Sequence, residues 1–326
     1  MENYTYRLLT IEDSPAIYML FEAAFNTPPK ERFIQWKYFD NPAGNAILAG
    51  AFIDNQLVGS GAMIPEMMSV FGKEKLIFKC TDLMTHPAHQ RKGLSKKVNE
   101  LLYQETLKRD TPFSYTLCSK TATKSFLKNN WLYLGGVINL FKPYLLLRVS
   151  SVFRQSSLAT IKVYGAVGKV LNNYPFCADS GYISILKWAE YLRWRTSNPN
   201  FYYQIICAND EQGKVSGYLI CSSSTNNLLN IIDMEATDGN VAILKQLLSY
   251  AEDIAIANKN KGILSITIHN SPVFKFLKKE SYLHNPFDKG PLKAMLDFDI
   301  YLYDTEQTAI KDTRHWDISA LSYDDI

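Results

Sequence analysis

The stretch Thr85-His86-Pro87-Ala88-His89-Gln90-Arg91-Lys92-Gly93-Leu94-Ser95-Lys96-Lys97 decides how this chain is read. It follows an apolar run over residues 76–85 and precedes a helical pattern over residues 94–108. The first backbone N–H groups of a helix have no partner inside it, and together with the helix dipole they favour an anion. Gly93 lets a ligand approach the backbone without meeting a Cβ. Arg91, Lys92, Lys96 and Lys97 crowd the same place. The dipole opposes cations at a helix start, so four of them there call for a bound anion, and a phosphate is expected.

Working outward, the N-terminal side reads as a strand over 4–10, a helix after Asp13 and Pro15, and a second helix over 29–39 that stops at Asn41-Pro42. Strands over 46–53 and 57–64 flank the turn signal Asp54-Asn55-Gln56. Beyond the basic loop and its helix come a strand over 113–119, a helix over 121–130 and a strand-like run over 137–149. The fold class is α/β, in the mixed α+β sense. Residues 150–173 place Phe153, Leu158, Ile161, Tyr164, Val167 and Leu171 on one helical face, which predicts an amphipathic connecting helix. The expected domains are 1–148, a linker over 149–178, and 179–326.

The second half repeats the first. Trp36-Lys37 with Asn41-Pro42 returns as Trp194-Arg195 with Asn198-Pro199. Asn55 to Gly59 faces Gly213 to Gly217, 158 positions on; Thr81-Asp82-Leu83-Met84 faces Ile232-Asp233-Met234-Glu235, 151 on; and Phe126-Leu127-Lys128 faces Phe276-Leu277-Lys278, 150 on. Leu101-Leu102 faces Leu247-Leu248 at an offset of 146. The second copy is therefore shorter at one place, the basic glycine loop. One copy carries the chemistry and the other the scaffold.

Gln90-Arg91-Lys92-Gly93-Leu94-Ser95 resembles the Q/R-x-x-G-x-G/A pyrophosphate loop of the GCN5-related N-acetyltransferases (GNAT). Ser95 stands where glycine or alanine is usual, and serine is small enough to keep the approach open. The resemblance extends through the order of elements over 1–148 and covers the second half as scaffold only. It implies two tandem GNAT-like domains, each a mostly antiparallel twisted sheet flanked by helices, the second lacking the pyrophosphate loop. It implies acetyl-CoA or another acyl-CoA as co-substrate. Backbone groups of Arg91, Lys92, Gly93, Leu94, Ser95 and Lys96, beside Gln90, would hold the pyrophosphate. The strand backbone at Leu83, Met84 and Thr85 would run along the pantetheine arm. The thioester would lie where that strand splays from the strand over 113–119, and an amine would attack it directly.

For proton transfer, Asp82 sits where the family often places a carboxylate, as base or holder of a relay water; anchoring a neighbouring backbone group is the alternative. The tyrosine acid of many members falls on Phe126, which donates no proton; Tyr133 and Ser119 are substitutes, and a thiolate of pKa ~8.5 also tolerates unassisted departure. His269 replaces Ser119 in the repeat alignment, as a catalytic or substrate-binding candidate or a structural histidine, and His315-Trp316 is a candidate to close a pocket from the tail. The chain looks similar to tandem-domain bacterial enzymes that acylate nucleotide-linked amino sugars for surface polysaccharides. The Trp36-Lys37-Tyr38 segment with Asn41-Pro42, the second copy without a loop, and the tail with Trp316 and Asp324-Asp325 support this acceptor. The rival readings are a peptidoglycan-type aminoacyl transferase, against which the intact loop argues, and a non-catalytic acyl-CoA sensor or scaffold.

Composition sets the outer bounds. The chain has 326 residues, 47% hydrophobic and 21% charged, which is ordinary globular composition. Lys+Arg 35 against Asp+Glu 32 gives a net charge of +3, which argues against a nucleic-acid partner. The N-terminus has no secretory pattern and no run suits a membrane span. Cys80, Cys118, Cys177, Cys207 and Cys221 form no CxxC and read as free thiols in a reducing compartment. The histidines do not join them at metal-ligand spacing, so no metal is expected. A cytoplasmic enzyme follows, with a homodimer one assembly open to it.

Overall fold

A computed structural model describes residues 3–151, 159–176, 181–223, 225–285, 296–303 and 308–323. The chain divides into two compact units, one of residues 1–135 and 296–311, the other of residues 136–295 and 312–326.

The first unit opens with β1 (Thr5–Leu9) and α1 (Ser14–Phe25). Asp13 stands at the cap of α1, but its carboxylate is taken by Arg7 at 2.7 Å and by the Thr10 amide at 2.9 Å, and it does not cap the helix. The next helix, α2 (Phe33–Tyr38), is shorter than its apolar pattern and buries Phe33, Trp36 and Tyr38. Asn41 closes the segment, donating to the Pro65 carbonyl and accepting from the Ala43 amide. Then come β2 (Ile47–Ile53), β3 (Gln56–Val70), β4 (Lys73–Thr85), α3 (Leu94–Leu107), β5 (Phe113–Ser119), α4 (Lys120–Leu127) and β6 (Leu132–Gly136). Both β3 and β4 outrun their predicted lengths because they form one long hairpin through Phe71-Gly72, each at positive φ. Ala49, Ala51, Met63, Phe78 and Cys80 pack beneath Leu94, Val98 and Leu102 of α3 and Phe126 of α4.

The second unit holds β7 (Ile138–Pro143), α5 (Tyr144–Ser151), β8 (Thr160–Tyr164), β9 (Ile183–Ile185), α6 (Ala189–Arg195), β10 (Tyr202–Asn209), β11 (Val215–Ser223), β12 (Leu229–Ala236), α7 (Val241–Ala257), β13 (Gly262–Thr267), α8 (Pro272–Lys279) and β14 (Leu283–His284). Over residues 159–173 the expected connecting helix is not formed: β8 pairs with β10, and turns follow it. The β-branched Ile161 and Val163 suit a strand, and Gly165 and Gly168 oppose a helix. Residues 152–158, where part of that expectation falls, lie outside the described residues, as do Cys177 and Asp324-Asp325.

The last strands, β15 (Leu296–Leu302) and β16 (Trp316–Asp317), correct the domain boundaries. In the first unit the sheet order is β1-β2-β3-β4-β5-β15-β6, with β15 antiparallel to β5. In the second it is β14-β7-β13-β12-β11-β10-β8, with β7 antiparallel to β13. The strand beside β5 thus comes from late in the sequence, and the strand beside β13 from just after β6. The break falls at 135/136, not at 148, and residues 296–311 rejoin the first unit. Because the copies repeat, a strand of either part suits the same place in either sheet, and its own pattern does not say which it joins.

Candidate active site

Each of the two mainly antiparallel sheets has a parallel pair at its centre, β4–β5 in one and β12–β13 in the other. In the first unit β4 and β5 pair in parallel only at Phe78↔Ser114 and Lys79↔Tyr115. Beyond these the two strands diverge, leaving a splayed gap with the end of β4 on one side and Thr116–Ser119 on the other. At the vertex, Lys79 and Tyr115 both donate to Glu66 of β3, the ammonium at 3.3 Å from Oε1. Glu66 is 1% exposed. One buried carboxylate therefore ties together the last paired residues of the diverging strands.

The gap edge of β4 is bulged. Ser60 pairs with Met84 and Ala62 with Thr81, so Asp82 and Leu83 together face Gly61. Asp82 takes the left-handed region, φ 51°. A Cβ on Gly61 would lie 2.6 Å from the Leu83 side chain, which explains glycine there. The bulge turns the Asp82 carboxylate toward α2, where Tyr38 Oη donates at 2.7 Å and Lys37 Nζ lies at 2.7 Å. Lys37 is itself buried and sits over the Phe33 ring. The Trp36-Lys37-Tyr38 segment thus supplies both partners of Asp82, a contact that the sequence did not disclose.

The basic loop follows directly. The His86 amide donates to the Val58 carbonyl, and His89 Nδ1 lies 2.9 Å from Tyr4 Oη, which anchor its first turn. Arg91 and Gly93 both adopt positive φ, 63° and 79°. Gly93 is the N-cap of α3, so no side chain caps that helix, and a Cβ built on it meets nothing within 4 Å. Gln90, Arg91, Lys92, Gly93 and Lys96 are exposed, Ser95 is half-buried, and Leu94 packs into the core. The helix start is open, uncapped and cationic, and α3 is held rigidly by Leu94, Val98 and Leu102.

The second unit repeats this frame and closes it. The strands β12 and β13 pair in parallel from Leu229↔Ile263 to Ile231↔Ser265 and then part. Asp233 stands where Asp82 does and again accepts from a tyrosine, Tyr218 at 2.7 Å, and a lysine, Lys187 at 3.0 Å. Arg195, aligned with Lys37, instead donates to the carbonyls of Leu321, Ala320 and Tyr323. Those residues follow Ser319, which bridges to Thr267 of β13, and the Thr267 hydroxyl donates to the Ile318 carbonyl at 2.8 Å, while Trp316–Asp317 pair in parallel with β9. The loop before α7 is only residues 237–240, and Asn240 accepts from the Ala242 and Ile243 amides. What Gly93 leaves open in the first copy, Asn240 satisfies in the second.

The remaining candidates fall as follows. His269 lies just past β13 in the second unit, exposed, with its ring 4.7 Å from Phe274 and 6.3 Å from His284. Asp82 and residues 83–96 belong to the first unit, so the two proposed catalytic residues stand on different units. Trp316 is fully buried and pairs through β9, which makes it core rather than the cover of a pocket. Ser119 caps α4, accepting from the Ala122 amide, and Tyr133 is exposed on β6. Phe126 packs against Trp131. Cys80, Cys118, Cys207 and Cys221 are free thiols, and burial pushes Cys118, Cys207 and Cys221 up to about 12. Among the described residues no cluster of His, Cys, Asp and Glu is arranged to hold a metal, and no helix is long and apolar enough to cross a membrane.

Comparison with known proteins agrees with this geometry. A search of curated protein sequences finds no match. Among solved structures, a probable N-acyltransferase from Enterococcus faecalis V583 superposes with TM-score 0.71 at 11% identity, over 93% of this chain and 73% of that one. A GCN5-related N-acetyltransferase from Anabaena variabilis ATCC 29413 gives 0.66 at 12%, with the same coverage. The N-myristoyltransferase of Saccharomyces cerevisiae with bound myristoyl-CoA gives 0.61 at 11%, over 92% of this chain and 83% of that one. The fold is that of these proteins. Residues 5–124, within the first unit, match the model of the acetyltransferase (GNAT) domain family.

Proposed function

We propose that this protein is an acyl-CoA-dependent N-acyltransferase that moves an acyl group from coenzyme A to a primary amine. The observation that carries the reading is the uncapped start of α3 at Gly93, beside a splayed β4–β5 gap, in a chain whose other copy has both features filled. Amides of residues 91–96 suit the pyrophosphate, and the unpaired edge at Leu83, Met84 and Thr85 suits the pantetheine amides, as an added strand would. The amine attacks the thioester carbonyl, the C–N bond forms and the C–S bond breaks. Asp82, held by Lys37 and Tyr38, is the group placed to take the amine proton, directly or through a water. Replacing Asp82 by Asn should lower kcat by about 100-fold with KM for acetyl-CoA nearly unchanged; steady-state kinetics against pH check this, and an unchanged kcat would remove Asp82 from proton transfer.

The acceptor proposed is the amino group of a nucleotide-linked deoxy amino sugar, dTDP- or UDP-linked, used for surface polysaccharide. A second unit whose cofactor gap is filled is free to serve an acceptor, and its exposed His269 is the candidate substrate-side group. The test is mass-spectrometric: acetyl-CoA and longer acyl-CoAs are incubated with such sugars, and free thiol and the acylated sugar are measured together. Thiol release without an acylated sugar would replace this acceptor by another amine. Binding without thiol release would favour the sensor reading.

The filled second copy makes a separate prediction. Calorimetric titration with acetyl-CoA should give one site per chain. Two equivalent sites would show that residues 318–322 leave the β12–β13 gap on binding.

A further inference from the structure

A buried acidic pair stands behind the β5 wall of the gap. Asp297 and Asp299 lie on one face of β15, opposite Cys118 and Thr116 of β5. Asp299 is completely buried and Asp297 is 7% exposed, and no cation pairs with either among the described residues. Their partners are a thiol and a hydroxyl. Cys118 Sγ donates to Asp299 Oδ2 at 3.4 Å and lies 3.4 Å from Thr123 Oγ1, which donates to Asp297 Oδ2 at 2.7 Å. Asp299 Oδ1 is buried with no hydrogen-bond partner. Burying an unpaired carboxylate is costly, and an orphaned oxygen in such a place asks for a reason.

Position supplies one. Cys118 is on the stretch of β5 that no longer pairs with β4, it is half-buried, and it packs with Phe126 of α4. Thr123 lies one turn before Phe126 on that helix. We infer that the Cys118 thiol, backed by Asp299, returns the proton to the departing coenzyme A sulfur. This rests on the acyltransferase reading above. When the C–S bond breaks, its electron pair stays on sulfur. The sulfur takes the proton of Cys118, the S–H having turned from Asp299 Oδ2 toward it, and Cys118 takes the proton that the Asp299 carboxyl carries on Oδ2. Asp299 is left ionised, hydrogen-bonded by the thiol, and regains a proton from solvent before the next turnover. Cys118 is the catalytic group and Asp299 the positioning one.

Acid strengths agree with the direction of transfer. Burial, with Asp297 nearby, raises the Asp299 carboxyl above the ordinary carboxylate range, against the lowering effect of the Cys118 and Thr123 hydrogen bonds. Burial keeps the Cys118 thiol protonated and pushes it up to about 12. A thiol that weakly acidic gives up its proton to a thiolate of pKa ~8.5 only if it is resupplied in the same step, which a protonated Asp299 does.

Three variants and two readouts test this. With acetyl-CoA and a dTDP-linked amino sugar, Cys118→Ala should lower kcat by about 10–100-fold with KM for acetyl-CoA within about twofold, and Cys118→Ser should restore most of the rate. Asp299→Asn should lower kcat similarly and move the basic limb of the pH–rate profile. The second readout needs no turnover. Iodoacetamide modification of the Cys118 peptide, followed by mass spectrometry, should be slowed at least tenfold by saturating acetyl-CoA. Wild-type kcat in Cys118→Ala, or modification of Cys118 unaffected by bound acetyl-CoA, overturns the inference while leaving the acyltransferase reading intact. A wild-type protein that does not bind acetyl-CoA overturns both.

Discussion

Gly93→Tyr should abolish acyl-CoA binding while leaving the chain folded. Gly93 sits at φ 79°, so any other residue meets backbone strain of about 1–2 kcal/mol. Strain alone does not remove binding: Gly93→Ala incurs the same penalty, and its Cβ enters open space. A tyrosine there fills the space in front of the Leu94 and Ser95 amides, where a pyrophosphate would lie. Hydrogen bonds to a charged group are worth about 1.5–3 kcal/mol each. Losing two of them weakens binding by about 10³-fold. Calorimetry with acetyl-CoA on Gly93→Ala and Gly93→Tyr, with thermal melting of each, separates the effects. The expected result is near-native affinity for alanine, none measurable for tyrosine, and melting temperatures close together. Native affinity in Gly93→Tyr would take the loop out of cofactor binding.

The second large effect is on stability. Glu66→Ala should destabilise the first unit by about 3–5 kcal/mol, because it leaves the Lys79 ammonium buried without its carboxylate and takes the acceptor from Tyr115. Both lost contacts are at the vertex of the gap, so the damage falls on the spacing of β4 and β5. A double variant, Glu66→Leu with Lys79→Met, removes both charges and should recover most of the loss, since a buried pair stabilises little beyond an apolar substitute of similar volume. Urea unfolding of the single and double variants measures both. A loss below about 1 kcal/mol in Glu66→Ala would mean that water reaches the pair and that the vertex is held by other contacts.

The loop and the repeat were legible because both are local. A glycine with four cations at a strand-to-helix joint has one economical physical explanation, and the repeat needed only order and spacing. The Asn-Pro turns of the two copies show it well: Asn41 accepts from the Ala43 amide and Asn198 from the Asn200 amide, the same turn from the same residues. What the sequence withheld is what tertiary pairing decides. Nothing in the Leu296–Leu302 pattern says that this strand lies beside β5, so Asp297 and Asp299 could not be placed near Cys118 in advance. The Trp-Lys and Trp-Arg matches suggested equal roles, yet Lys37 meets Asp82 while Arg195 grips tail carbonyls, and the lysine that meets Asp233 is Lys187, from outside the matched segment. The connecting helix failed for a different reason. Apolar residues at helical intervals outweighed Gly165 and Gly168, which were visible and should have counted against it.

The most direct test of the account is amide hydrogen exchange with and without acetyl-CoA. The account predicts added protection at the amides of residues 83–85 and 91–96, and none at residues 237–243, where Asn240 already caps the helix. Protection at 237–243 with 83–96 unchanged would contradict it, by placing the cofactor on the copy assigned to scaffold.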